Sequence, residues 1–253
     1  MDNISKIIEE ITRRSFKVIK KVYAFQREAE PQNKENLPEI GSRILFPKYS
    51  EHRKPSEKDR TKPSEKDRIS EQELRFIFVE QLNKYADENN IDLYYSVETP
   101  TSKSYVFNED NGGPKVVASE GEGVSARIDL AIMAKDAGNF KRIALIEFKA
   151  HNPDVNDYRK DICKLINEEW EDNPDCLKYF IQVINVKNEQ RTWNNIENKK
   201  ITAIDNLKEE DKKENEYSIE YRCFNLYSMN LKQGIIKTNK LQFTGCESPS
   251  TAE

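Results

Sequence analysis

The stretch IALIEFKA, residues 143–150, constrains this chain more than any other. Its first four residues are apolar and read as a strand buried inside a sheet, yet the run ends in Glu147 and Lys149, one residue apart. Side chains alternate faces along a strand, so Ile143, Leu145, Glu147 and Lys149 share one face and Ala144, Ile146 and Phe148 the other. A second strand pattern, VSARIDLAIMA at 124–134, precedes it, and the intervening KDAGNF suits a hairpin. Strict alternation there sets Ser125, Arg127, Asp129 and Ala131 against Val124, Ala126, Ile128, Leu130 and Ile132. Paired as a hairpin, the two strands bring Asp129 and Glu147 to the same height. Ionised carboxylates near a sheet interior are costly unless neutralised, so the pair calls for a bound divalent cation or a salt bridge to Lys149.

The surroundings follow from periodicity. Residues 3–29 read as one helix, because Ile4, Ile8, Ile11, Ser15, Val18, Val22 and Phe25 recur at spacings of four and three. That broad stripe serves either packing on the domain or homodimerisation. Residues 31–69 read as a polar linker carrying a direct repeat, KPSEKDR at 54–60 and again at 62–68, too polar to form a shared core. Ser70 with Glu73 forms a capping-box signature, and Leu74, Ile77, Phe78, Gln81, Leu82 and Tyr85 line one face of the helix that follows. IDLYYSVE at 91–98 reads as a strand ended by Thr99-Pro100. The glycine-bearing NEDNGGPKVVASEGEG reads as a long loop or hairpin tip. A helix over 153–170, an apolar strand at 176–186, a charged helix at 191–214 and strands at 217–227 and 234–243 complete a domain over 70–245, with a disordered tail at 246–253. Elements in this order favour an α/β fold, a mixed sheet flanked by helices.

Composition sets the limits. The 253 residues are 36% hydrophobic, enough for one core of about 150–200 residues with appendages. Acids and bases nearly cancel to a net charge of −4, so any contact with a polyanion must come from a local basic patch or bound cations. Cys163, Cys176, Cys223 and Cys246 are scattered without a C-x-x-C pair, and His52 and His151 are far apart, which argues against a zinc site and for reduced thiols. With no apolar leader and no run near the ~18 residues that cross a bilayer, the expectation is a cytoplasmic protein without membrane contact.

Asp129, seventeen intervening residues and then Glu147-Phe148-Lys149 resembles the motif of the PD-(D/E)XK superfamily of restriction-endonuclease-like nucleases, and the order α-β-β-β-α-β from Ser70 to Val186 resembles that superfamily's core. The resemblance covers about half the chain, and it departs from the motif at Ile128, where a proline would stand. It implies a magnesium-dependent endonuclease, with Mn able to substitute for Mg and DNA favoured as substrate. Asp129, Glu147 and the backbone carbonyl of Phe148 would hold the metal, and Lys149 would orient or deprotonate the attacking water and stabilise the transition state. It also implies a glutamate on the preceding helix. Among Glu71, Glu73 and Glu80, the wheel places Glu71 about 50° from the apolar face and the others beyond about 100°, which favours Glu71. Arg127, His151 and Lys160 are the expected phosphate contacts. Glu98 is a further candidate acid, while Trp170 and Trp193 read as packing residues. The rival classes are a non-catalytic nucleic-acid-binding or scaffold protein of the same fold and an effector activated by a partner or ligand.

Overall fold

The computed structural model describes residues 2–28, 42–46, 69–108, 113–117, 123–168, 175–205, 217–237 and 240–247. The KPSEKDR repeat and Trp170 lie outside them. In chain order the elements are α1 (Asp2–Glu28), α2 (Glu71–Asn89), β1 (Leu93–Asn108), β2 (Gly113–Val117), β3 (Val124–Asp136) and β4 (Asn139–Ala150). Then come α3 (Val155–Asn167), β5 (Leu177–Ile184), α4 (Glu189–Asp205), β6 (Ser218–Asn225), β7 (Leu231–Lys237) and β8 (Lys240–Glu247).

These strands form one mixed eight-stranded sheet in the order β2-β1-β3-β4-β5-β6-β7-β8. The pairs β4·β5 and β5·β6 are parallel and the rest antiparallel. The parallel pairs need crossovers, and α3 and α4 supply them. Each face of the sheet has its own core. On one side α1 and α2 bury Ile11, Ile19, Val22, Leu74 and Phe78 against Ile132, Ile146, Phe148 and Ile181. On the other, α3 and α4 bury Tyr158, Ile162, Trp193 and Ile196 against Leu145, Phe180 and Tyr221. The chain is therefore an α/β protein with helices on both faces of its sheet. No helix among the described residues is long and apolar enough to cross a membrane.

The stripe of α1 packs on the sheet of its own chain. Phe16 stacks on Phe224 with ring centroids 4.9 Å apart, and the hydroxyls of Thr12 and Ser15 donate to the carbonyls of Ile8 and Ile11, so these polar side chains are buried with partners. At the start of α2, Glu73 reaches back to the Ser70 N–H at 2.7 Å.

Three boundaries differ from expectation. β1 does not stop at Pro100 but runs on to Asn108 through an irregularity between Pro100 and Ser104. Proline is tolerated because β2 pairs only with residues 104–108, so the flank of β1 at Pro100 lies beyond the β2 ladder. The glycine-bearing stretch after it contributes a strand, β2. The strand expected at 234–243 is two, β7 and β8, joined across residues 238–239. The β3–β4 connection is the expected hairpin: Ala137 (φ 45°) and Gly138 (φ 91°) both take positive φ, the pattern of a two-residue type I′ turn.

Candidate active site

A one-residue shift in the β3–β4 register between Ile132 and Met133 leaves Ile143 out of the ladder and fixes the centre. Ile143 packs with Ala144, Ile146 and Phe148 and not on the face of Leu145 expected for it. Leu130 pairs with Ile146, and the next step along both strands sets Asp129 opposite Glu147, whose carboxyls come within hydrogen-bonding reach. The ladder ends there, and Asp129 Oδ2 accepts the N–H of Phe148 at 2.8 Å. The N–H and C=O of one strand residue leave on the same side, so the Phe148 carbonyl also projects toward β3.

The face assignment of β3 departs from strict alternation. Ala126 and Ile128 lie in the core beneath α3 and α4 together with Ala131, whereas Leu130 and Ile132 lie in the opposite core. The strand therefore changes phase at Asp129. Its neighbour on β1, between the pairs Val97–Leu130 and Thr99–Ile128, is Glu98, held at φ 50°. A non-glycine residue at positive φ is strained and persists only where its surroundings hold it, and here it lies beside the acidic pair.

Around that pair the structure gathers a network of ions. Lys149 Nζ is 2.8 Å from Asp161 Oδ2 and 3.3 Å from Glu71 Oε1. Lys164 Nζ lies 2.7 Å from Glu147 Oε1 and 2.9 Å from Asp161 Oδ1, and donates to the Arg127 carbonyl at 2.9 Å. Arg75 of α2 pairs with Glu98 and stands 3.8 Å from Asp129 Oδ1. Glu71 thus reaches the site, whereas Glu73 caps α2. Lys149 is 13% exposed and Glu147 1%.

Burial governs the protonation of these groups. It pushes the Glu147 carboxyl well above the ordinary range, with Lys164 opposing and Asp161 and Asp129 reinforcing. It also raises Asp129, against the pull of the Phe148 N–H, and Glu71, against Lys149. Burial alone would raise Asp161, but Lys164 and Lys149 hold its carboxyl below its usual value. Burial works against charge on both amines, yet Asp161 and Glu71 keep Lys149, and Glu147 and Asp161 keep Lys164, above the ordinary lysine value.

The expected phosphate contacts stand differently. Arg127 is exposed, on the far side of the phase change from the face expected for it, and reaches the network through its main-chain carbonyl. His151 turns the chain out of β4 at φ 63°, its N–H bonded to the Val183 carbonyl and its own carbonyl to Gln182. Lys160 is half-buried one residue before Asp161, about 100° around α3 from it. Trp193 is buried in the core under α4.

Asp161, Lys164 and Arg75 escape sequence reasoning. A signal exists for the first two: an acid and a lysine at i, i+3 fall within the stripe of Tyr158, Ile162 and Leu165, where a charge has no business unless it is paired. Arg75 carries no such mark.

The donor chemistry suits magnesium in kind, with two carboxylates and a carbonyl as hard oxygen donors for an ion that keeps several waters. Among the described residues no group of three or more His, Cys, Asp or Glu side chains surrounds a common point, so the acidic pair offers at most two side-chain ligands. Comparison with family models, curated proteins and solved structures finds no match to the chain.

Proposed function

We propose that the protein is a metal-dependent nuclease of the restriction-endonuclease-like kind, hydrolysing phosphodiester bonds in DNA. The observation that carries this reading is the convergence of Asp129, Glu147, Lys149 and Glu71, drawn from three elements, at the broken end of the β3–β4 ladder. Asp129, Glu147 and the Phe148 carbonyl would hold Mg²⁺. When bound, the ion supplies a water of lowered pKa and offsets charge growing on the phosphate.

Lys149 contributes as a fixed cation. Its partners hold its proton, so it stabilises developing negative charge and orients the water by donating, and the general-base role is the weaker one for this amine. Glu71 and Asp161 aim it from two sides. Glu71 acts here as a positioning residue, gripping the lysine from the first turn of α2.

The test is cleavage of plasmid and single-stranded DNA in Mg²⁺ or Mn²⁺ by the wild type and by Lys149→Ala. A metal-dependent activity that falls about 10²-fold or more in the variant supports the assignment. Undiminished cleavage by Lys149→Ala removes Lys149 from the chemistry. DNA binding without cleavage of any substrate would make the protein a non-catalytic binder.

A further inference from the structure

Lys164 has no part in the chemistry above, yet it is ion-paired with Glu147 of the acidic pair. Its ammonium lies against three oxygens, ion-paired with Glu147 Oε1 at 2.7 Å and Asp161 Oδ1 at 2.9 Å and hydrogen-bonded to the Arg127 carbonyl at 2.9 Å. All are hard oxygens, two of them anionic, and they come from β4, α3 and β3. This is the kind of environment a small hard cation seeks. The Glu147 side chain is 1% exposed and that of Lys164 10%, so the ammonium closes the approach to the one oxygen it grips.

We propose that Lys164 is a resident cation that occupies the Glu147 side of the metal position, so that a divalent ion must displace it and the arrangement in the structure is a closed, metal-excluding state. The proposal rests on the nuclease reading. Its physical basis is competition: an ammonium and a dication on the same carboxylate oxygen repel each other at short range in a poorly solvated pocket, so only one holds it at a time. Charge agrees. Counted as ionised, the five acids Asp129, Glu147, Asp161, Glu71 and Glu98 face the three cations Lys149, Lys164 and Arg75, a surplus of two negative charges that one dication offsets while Lys164 stays within the group. Displaced, Lys164 retains Asp161 one helical turn away as a partner.

The experiment measures binding of Mn²⁺ alone to the full chain, by counting free Mn²⁺ with electron paramagnetic resonance, for wild type, Lys164→Met, Lys164→Gln and Asp129→Asn. Removing the ammonium is expected to tighten an Asp129-dependent Mn²⁺ site about tenfold or more, the change produced by about 1.4 kcal/mol of relieved competition. Equal or weaker binding in folded Lys164→Met and Lys164→Gln overturns the proposal and leaves the nuclease reading standing. Absence of Mn²⁺ binding in every protein sinks the metal reading, and this proposal with it. A second measurement needs no variant: acylation of Lys164 in the wild type, followed by peptide mass spectrometry, should speed up several-fold when Mn²⁺ is added. A Lys164 equally protected with and without bound Mn²⁺ also overturns it.

Discussion

The carboxylate of Asp161 bridges two lysines, its Oδ2 2.8 Å from Lys149 Nζ and its Oδ1 2.9 Å from Lys164 Nζ. One helical acid therefore sets the position of both ammonium groups beside the acidic pair. Removing one partner of a buried ion pair leaves an uncompensated charge and costs about 3–5 kcal/mol. Asp161→Asn, which keeps the shape and removes the charge, should lose stability of that order in urea denaturation. Glu71→Gln removes a contact to the same Lys149, but Glu71 is 44% exposed, and the loss there should stay below about 1 kcal/mol. Equal losses in the two variants would mean that Asp161 does not hold the network together.

Lys149 should behave as a permanent cation. Burial favours the neutral amine, but Asp161 and Glu71 outweigh it and keep the amine above the ordinary lysine value of 10.5. The amine then stays protonated at every pH where the protein works, and the activity profile between pH 7 and about 9.5 should carry no limb belonging to Lys149. Lys149→Arg should keep more activity than Lys149→Gln, because charge survives in the first. An activity that rises through this range in the wild type and flattens in Lys149→Arg would instead mark Lys149 as a base.

How much of this the sequence discloses depends on the range of the interaction. The Asp129–Glu147 convergence can be read to within one residue because the hairpin is local and side chains alternate with period two. The turn alone would set Asp129 opposite Ile146, and the register shift at Ile143, which the sequence does not mark, brings Glu147 there. Glu71 can be read from the helical wheel, since it lies on the edge of the face that α2 buries. The phase change at Asp129 cannot. It accompanies a positive φ at Glu98, and no glycine or asparagine marks that position. Asp161 and Lys164 depend on how α3 crosses the sheet, a contact between segments far apart in sequence, so only their misplacement within an apolar stripe hints at them. The division between β7 and β8 cannot be read either, because no glycine or proline stands between Ile236 and Leu241.

The hairpin turn offers a stability test that leaves the site alone. Ala137 adopts φ 45°, a conformation that costs an L-residue with a plain methyl side chain about 1 kcal/mol and that asparagine tolerates through local hydrogen bonds. Ala137→Asn creates Asn-Gly, the pair most at home in a type I′ turn, and should add up to about 1 kcal/mol of stability, read as a higher urea midpoint at unchanged slope. At Gly138, an added Cβ meets nothing within 4 Å, but φ is +91°. Gly138→Ala should therefore lose about 1–3 kcal/mol through backbone strain alone. A neutral Gly138→Ala would show that the turn relaxes to another type.

Lys200 makes the sharpest pH prediction. It is fully buried, its Nζ 3.0 Å from the Tyr221 ring centroid and 4.7 Å from that of Phe180, and it donates to Gln182 Oε1 at 3.3 Å. Burial drives the amine well below the ordinary value of 10.5. The unfolded chain then takes up a proton that the folded chain excludes, so the fold loses stability as pH falls below 10.5 and goes on losing it until the depressed folded value is reached. Each unit of that difference is worth about 1.4 kcal/mol. Lys200→Met keeps the volume and removes the titration, so its advantage over the wild type should be greatest at neutral pH and shrink toward zero as pH approaches 10.5. Chemical denaturation of both proteins at pH 7, 8.5 and 10 reads this directly. If Lys200→Met is less stable than the wild type by the same margin at all three, the rings of Tyr158, Phe180 and Tyr221 are caging a charged ammonium and the amine is not driven neutral by burial.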